Sequence, residues 1–117
     1  MTIVAGSAIV NGQLLANGGN AAVGAGGGAG SGGAIRLEAT TLSGVGQMQA
    51  RGGNGANTGD GTGGGGRIAI YYASMSLPSA NVNARGGTQG NVGGAGTVYL
   101  KDATLPTGDV IADNAAL

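Results

Sequence analysis

Apolar and polar residues alternate along several short stretches of the chain, and each clear stretch follows a glycine-rich run. The best examples are AIRLE at 34–38, RIAIYY at 67–72 and TVYL at 97–100. Alternation with a period of two is typical of a β-strand with one buried face. An amphipathic helix would need apolar residues at intervals of three and four, and glycine-broken segments do not sustain it. The pattern therefore predicts strands that begin where the glycine runs end.

The chain also repeats itself at intervals close to 34 residues. The tetrapeptide Ala-Arg-Gly-Gly occupies 50–53 and again 84–87, and Asn17 lies 34 residues before Arg51. Glycine runs of different length absorb the unevenness between copies. We predict a single glycine-rich domain over residues 1–117, with copies at roughly 1–33, 34–66, 67–96 and 97–117.

Aligned copies give five largely apolar columns of equivalent residues. In chain order these are Val4, Leu37, Ile70 and Leu100; Thr2, Ile35, Ile68 and Val98; Ile9, Leu42, Met75 and Leu105; Leu14, Met48, Val82 and Val110; and Ala16, Ala50, Ala84 and Ala112. A bend containing Gly, Ser, Asn or Pro divides each copy into two strands. Columns, bends and returns together predict an all-β fold, a right-handed parallel β-helix (solenoid) with about one coil per 30–34-residue repeat. The rival fold is a β-sandwich, although two-residue hairpin signals are few.

Glycine supplies 29 of the 117 residues, far more than the usual share of about 7%. In a solenoid, a glycine run can return the chain to the next coil where backbones approach closely or where φ is positive. Two interpretations stay open: ordered return segments, including packing of the polyglycine II type, and unstructured surface loops.

Composition excludes several kinds of chemistry. Five acidic and five basic residues give a net charge of zero, which argues against nucleic-acid partners and anionic membranes, and no segment is apolar enough for membrane insertion. The absence of His and Cys removes Ser-His-Asp catalysis, disulfides and His- or Cys-bound zinc. Two GxGxxG matches precede strands rather than helices. The segment around Asp60 resembles calcium-binding repeats but lacks their repeated Asp. We expect no cofactor, no metal site and no enzymatic activity.

The remaining candidate residues are aromatic and basic. Tyr71 and Tyr99 are expected to point outward, and Arg51 and Arg85 are expected to stack on neighbouring coils between Asn17 and Asp113. The functional interpretation is a surface-binding patch of Tyr71, Tyr99, Arg51 and Arg85 that contacts glycans. The structural interpretation is a solvated outer face without a ligand. Ice binding would need columns of Thr, and Thr40, Thr41 and Thr104 do not form one.

The segments GGGGRIAIYY, ARGG and GGAGTVYLKDATLPTGDVIADN resemble glycine-rich repeats of very large bacterial surface and secreted proteins. The resemblance covers most of the chain from Gly18 onward and implies a β-solenoid stalk or passenger region, comparable to an adhesin shaft. It implies an extracellular or cell-surface location and brings no catalytic residues. The predicted function is therefore that of a structural stalk or adhesion scaffold. A carbohydrate- or surface-binding module is the alternative, and a polysaccharide-active enzyme is a more distant one.

The pattern shows no obvious polar cap at either end of the repeat. An uncapped solenoid presents unpaired strand edges. We therefore expect either a longer solenoid of which this chain is a part, or end-to-end self-association of separate chains into growing rods.

Overall fold

The computed structural model describes residues 1–24 and 26–114, and these residues form a β-solenoid of about three turns. This confirms the predicted all-β class and the stacking of parallel coils. The strands are β1 Thr2–Ile9, β2 Gln13–Leu15, β3 Ala34–Ser43, β4 Gln47–Gln49, β5 Arg67–Met75, β6 Val82–Asn83, β7 Thr97–Asp102 and β8 Asp109–Ile111. One short 3-10 turn, Ser79–Asn81, precedes β6.

The strands form two sheets, which we name sheet A and sheet B. Sheet A has the order β1-β3-β5-β7-β8, and sheet B has the order β2-β4-β6. Every neighbouring pair is parallel except β7 and β8, which are antiparallel. Each coil contributes one strand to each sheet. We call residues 1–33 coil 1, residues 34–66 coil 2 and residues 67–96 coil 3.

The hydrophobic core lies between the two sheets. Alternate residues of sheet A, such as Leu37 and Ile70, and alternate residues of sheet B, such as Met48, belong to one buried cluster. These three side chains have no exposed surface. Each fully buried aliphatic side chain contributes roughly 1.5–3 kcal/mol, so the stacked columns are the main source of stability in this half of each coil.

The predicted columns are wrong by one residue on β1 of coil 1, whereas Leu14 pairs with Met48 as predicted. Ile3 pairs with Leu37, and Ala8 pairs with Leu42, where Val4 and Ile9 were expected. Val4 is 69% exposed and Ile9 is 70% exposed. In the segment TIVAGSAI, both alternating sets of residues contain apolar side chains. Alternation alone therefore does not decide which set faces the core. The predicted alignment of Thr2 with the second column is wrong for the same reason.

The fourth copy departs from the repeat after its first strand. β8 turns back and pairs with β7, so Val110 lies opposite Tyr99 and does not extend the column of Val82. Leu105 is exposed, as is Ala112, so the predicted fourth-copy positions of their columns are wrong too. Residues 115–117 of this copy lie outside the described residues.

A local turn explains this reversal of direction. The Asp102 carboxylate accepts hydrogen bonds from the backbone N–H and the hydroxyl of Thr104, at 2.8 and 2.6 Å. The Lys101 ammonium donates to the carbonyl oxygens of Asp102, at 2.9 Å, and of Leu105. These contacts close a tight loop directly after β7, and the chain therefore folds back along β7 instead of crossing to sheet B.

The glycine runs are ordered, and they pack as two rows of extended segments. The outgoing row consists of residues 16–21, 50–54 and 84–88, and the return row consists of residues 28–33, 61–66 and 93–96. Together we call them the glycine slab. Backbone hydrogen bonds cross from row to row in a zigzag: Gly53 N to Gly30 O at 2.9 Å, Gly63 N to Gly53 O at 3.0 Å, Gly87 N to Gly63 O at 2.9 Å and Gly93 N to Gly87 O at 3.0 Å. Other bonds join successive coils within each row. Of the two interpretations, the ordered one is correct.

Close approach of backbones is the physical reason for glycine in the slab. A Cβ added to Gly63 would lie 1.9 Å from the carbonyl oxygen of Gly30, a distance that no side chain tolerates. Positive φ occurs elsewhere, at the loop tips and bends, for example at Gly59 and Gly90, both with φ of 97°. The slab therefore requires glycine because there is no room for a side chain. The loop tips and bends require it because the backbone adopts positive φ.

The molecule is elongated and measures 49 × 24 × 19 Å. Stacked strands are spaced by about 4.8 Å. The stack of β1, β3, β5 and β7 is therefore short, and the stacking direction corresponds to one of the two shorter extents. The long dimension therefore runs along each coil, from the bend between the sheets to the tip of the glycine slab.

Candidate functional site

Tyr71 and Tyr99 lie on adjacent strands of sheet A, where alternation with buried Ile70 and Val98 turns them outward. Their rings meet edge to face, with centroids 5.9 Å apart and an interplanar angle of 71°. Such a pair contributes about 0.5–1.5 kcal/mol beyond the area it buries. The two tyrosines that the sequence singled out therefore do come together.

The Tyr71 ring is already in contact with charged neighbours on sheet A. The Arg36 guanidinium lies 5.0 Å from the ring centroid, within the range of a cation–π contact. The same Arg36 donates to the Glu38 carboxylate at 2.7 Å. Glu38, Tyr71 and Lys101 are successive partners in the strand register. Arg36 was missed as a neighbour of this group, although its position one strand away and two residues before Glu38 was a usable signal.

Tyr99 has little free surface for a ligand because the loop before β8 covers it. A Cβ added to Gly108 would lie 2.6 Å from the Tyr99 hydroxyl oxygen, so the loop backbone packs directly against the phenol. Tyr71 itself is only partly exposed. Stacking of a sugar ring on this pair would require displacement of Arg36 or of the loop.

Arg51 and Arg85 lie on adjacent coils directly after sheet B. The amides of Ala50 and Gly52 donate to the carbonyl oxygens of Asn83 and Arg85, and these bonds continue the parallel register and place Arg51 beside Arg85. The neighbours predicted on either side are also present. The Arg51 N–H donates to the Asn17 side chain at 2.8 Å, and Arg85 pairs with Asp113 at 3.3 Å.

The tyrosine pair and the arginine pair do not form one patch. Tyr71 faces outward from sheet A, while Arg85 alternates with buried Val82 and Ala84 and faces outward from the side of sheet B. Because both sheets bury their inner faces in the same core, their outer faces lie on opposite sides of the molecule. The predicted four-residue patch is therefore two separate groups.

A polar groove of about 140 Å³ surrounds Arg51. It is lined by amide side chains and glycine backbone, namely by Asn17, Gly18, Asn20, Gln49, Gly52 and Asn54. The Asn17 side chain donates to the Gln49 side chain at 3.3 Å. Amide and guanidinium groups in a row offer both donors and acceptors to a polar ligand.

An asparagine ladder borders this groove and was missed in the sequence. The Asn20 side chain accepts a bond from the Asn54 N–H at 2.9 Å, and the Asn54 side chain accepts one from the Thr88 N–H at 2.9 Å. These residues are spaced by 34 and each follows a Gly-Gly pair. The repeat therefore indicated this ladder through the equivalent tripeptides GGN, GGN and GGT.

A second opening, a cleft of about 220 Å³, lies beside the free edge of β6. Its lining is mixed, with Val82, Val98 and Ile111 as apolar contributors and Arg85 and Asp113 as charged ones. Among the described residues, two buried side-chain atoms have no hydrogen-bond partner, Asn83 Oδ1 and Arg85 Nε. The cleft occupies the position that a fourth strand of sheet B would fill.

The carboxylates of the described residues are dispersed, and no three acidic groups lie close enough to hold a metal ion. Asp60, in the segment that resembled a calcium repeat, accepts bonds from the Asn57 backbone and side chain at 2.8 and 3.1 Å. It therefore closes the turn at the tip of coil 2. Within residues 1–24 and 26–114, no helix has the length and hydrophobicity needed to cross a membrane.

Comparison with known proteins gave no match: no protein-family model, no curated protein and no solved structure is significantly similar to this chain.

Proposed function

We propose that the chain is a structural, non-enzymatic β-solenoid module of an extracellular or surface-displayed bacterial protein. Its role is that of a stalk or adhesion scaffold that holds other parts of an assembly at a fixed separation. The resemblance to glycine-rich repeats of large bacterial surface proteins supports the location. The glycine slab is the single observation that carries the role.

The slab supports a spacer role because it extends each coil far beyond its hydrophobic core without adding side chains. Row-to-row and coil-to-coil hydrogen bonds hold backbones such as Gly53, Gly63 and Gly87 on several sides. A network of backbone bonds between rows and between coils resists bending, and flexible loops of the same composition would not. Stiffness along 49 Å is a mechanical property rather than a chemical one.

Stiffness is measured directly by the distance between two spin labels. The chain contains no Cys, so Thr58→Cys at the slab tip and Val45→Cys at the bend of coil 2 provide two specific sites, both exposed. We expect one narrow distance distribution. A broad distribution, comparable to that of a flexible linker, would contradict the spacer role, and turnover of a polysaccharide by the purified chain would contradict the non-enzymatic one.

The alternative function is a carbohydrate- or surface-binding module, and the polar groove around Arg51 is the observation that favours it. A glycan array probed with the purified chain tests this alternative. If the groove binds sugars, Arg51→Ala should abolish retention, whereas Arg67→Ala, an exposed arginine on β5, should leave it unchanged. Equal retention of both variants would exclude the groove, and loss with Tyr71→Ala alone would favour the tyrosine pair instead.

A further inference from the structure

The end of the solenoid at coil 1 is open, and its core side chains are incompletely covered. Ile3 and Leu14 are only partly buried, whereas their equivalents in coil 2, Leu37 and Met48, have no exposed surface. A further layer of protein on coil 1 would bury the ends of the same apolar columns that the inner coils bury.

The open end carries no charged side chain. Residues 1–33 contain no Asp, Glu, Lys or Arg, and all ten charged residues of the chain lie at position 36 or later. The terminal ammonium of Met1 donates to the Ala34 carbonyl oxygen at 2.8 Å and is therefore engaged with coil 2. Edge strands are normally protected from pairing by charges or proline, and β1, at one edge of sheet A, has neither.

The opposite end is partly covered by the residues that follow β7. β8 pairs with β7 over three residues, and the Asn114 side chain accepts from the Gly86 N–H at 2.9 Å and donates to the Gly93 carbonyl at 2.7 Å. Asn114 therefore bonds to both rows of the glycine slab at once. We call residues 103–114 the C-terminal cap. The C-terminal cap does not cover the free edge of β6, where the cleft of about 220 Å³ lies.

We propose that coil 1 pairs with coil 1 of a second copy of this chain, and that this head-to-head dimer does not grow further. The arrangement is isologous, so each residue of the face meets the same face on the other copy. A face without charged side chains brings no like charges together in such an arrangement, and coil 1 meets that condition. We expect a dimer rather than growing rods because the other edge of sheet A is the three-residue strand β8, which begins with the charged Asp109.

Antiparallel pairing of β1 with its copy provides the geometry. The strand has eight residues, and the free edge of each copy would supply backbone donors and acceptors to the other. Antiparallel pairing superimposes only the halves of the coils that contain β1, about 26 Å of the 49 Å length. With a shorter extent of 19 or 24 Å, the contact would bury roughly 500–600 Å² per copy, about 1,000–1,200 Å² in total, which is the lower limit of a specific interface. This inference does not depend on the scaffold role.

Sedimentation equilibrium over a wide range of concentration tests the proposal on the full chain. We expect the mass to rise from 10.9 kDa to twice that value and to stop there. A monomer at every concentration would overturn the proposal and leave the face to a different partner. Species larger than a dimer would overturn the part that excludes pairing at the end with the C-terminal cap.

Charged substitutions locate the interface. Val4→Lys places like charges on both copies of β1 and should weaken dimerisation by at least about tenfold, a difference of about 1.4 kcal/mol. Val45→Lys, at the bend of coil 2, and Val110→Lys, on β8, are matched controls, since all three residues are 68–75% exposed. Equal dimerisation of all variants would contradict an interface at coil 1. Thermal unfolding of Val4→Lys in dilute solution shows whether the fold is retained.

Cysteine cross-linking reports the orientation. Ser7→Cys lies on β1 and Ser74→Cys lies on β5, and both serines are exposed in a chain that has no other Cys. Head-to-head pairing predicts a disulfide-linked dimer for Ser7→Cys under mild oxidation and none for Ser74→Cys. Cross-linking of Ser74→Cys that is as efficient as that of Ser7→Cys, in a sample shown to be dimeric, would contradict the head-to-head arrangement.

Discussion

At the scale of single residues, most glycines of this protein are fixed by what surrounds them and few by their own backbone angles. Among the described residues, positive φ occurs at Gly24, Gly26, Gly44, Gly59 and Gly90. In the slab, by contrast, the carbonyl oxygen of a neighbouring segment occupies the place where a side chain would begin. The two causes predict different results for substitution by Ala.

Gly93 and Gly94 form a matched pair for this test. A Cβ at Gly93 would lie 2.1 Å from the Gly63 carbonyl oxygen, whereas a Cβ at Gly94 would meet nothing within 4 Å. Overpacking costs about 1–3 kcal/mol, so we expect Gly93→Ala to destabilise by at least that much. Gly94→Ala should be neutral or stabilise by up to about 1 kcal/mol, because it restricts the unfolded chain. Urea unfolding measures both, and equal stability of the two variants would contradict the packed slab.

Asp102 makes the stability of the turn after β7 depend on pH. The hydrogen bonds from the side chain and backbone of Thr104, with a smaller contribution from Lys101, lower the pKa of this carboxyl below its ordinary value. Its contribution is therefore present above the unfolded pKa of about 3.9 and is lost as the pH falls through the lower folded pKa. We expect the melting temperature of Asp102→Asn to lie below that of the unmodified chain at pH 7. The difference should shrink at acid pH, and a constant difference would show that Asp102 stays ionised or contributes by shape alone.

At the scale of elements, the glycine slab behaves as secondary structure although it belongs to neither sheet. Its segments donate and accept backbone bonds at regular positions, for example Gly63 N to Gly53 O at 3.0 Å. Asparagine side chains accept further bonds at the margin of the slab, Asn20 from the Asn54 amide and Asn54 from the Thr88 amide. The slab is therefore held mainly by backbone hydrogen bonds, while sheets A and B are held by bonds and by a hydrophobic core.

Amide hydrogen exchange distinguishes an ordered slab from loops. We expect the amides of Gly63 and Gly87 to be protected to a degree comparable with the strands, because both are bonded within the slab. The amide of Gly59, at the tip of coil 2 with φ of 97°, serves as the internal control and should exchange rapidly. Rapid exchange of all three would mean that the slab opens independently of the core.

At the scale of the whole molecule, the two ends of the stack differ. Coil 1 leaves its apolar columns partly uncovered, while Val98 and Leu100, on the last parallel strand, are 3% and 8% exposed. The loss in free energy of unfolding when a core side chain is truncated should therefore depend on its position along the stack. This dependence follows from burial alone and does not require self-association.

Ile3 and Ile70 occupy the same column and measure this dependence with one chemical change. Ile70 is fully buried, so Ile70→Ala should cost about 2–5 kcal/mol. Ile3→Ala should cost less, about 1–2 kcal/mol, because its site is partly open to water. Chemical denaturation of dilute protein compares the two. A larger cost at Ile3 would indicate that coil 1 is covered in solution.

The sequence by itself determined the repeat, the parallel stacking and most of the core. In parallel in-register coils, residues one repeat apart become neighbours in space, so the columns of Leu37 and Ile70 or of Ala50 and Ala84 could be read directly from the alignment. The pairing of Arg51 with Arg85 followed in the same way. Each inner coil pairs with a neighbour on both sides, which allows only one register. The spacing of the sequence repeat predicts that register.

Only the tertiary structure decided the ends and the slab. Coil 1 has one neighbour, and its β1 segment is apolar in both phases, so Ile3 rather than Val4 faces inward for reasons of packing. The reversal at β8 depends on side-chain bonds of Asp102 and Lys101 that no periodicity records. Apart from the asparagine ladder, the contacts of the slab join backbone to backbone, and glycine leaves no side-chain pattern from which such backbone contacts could be predicted.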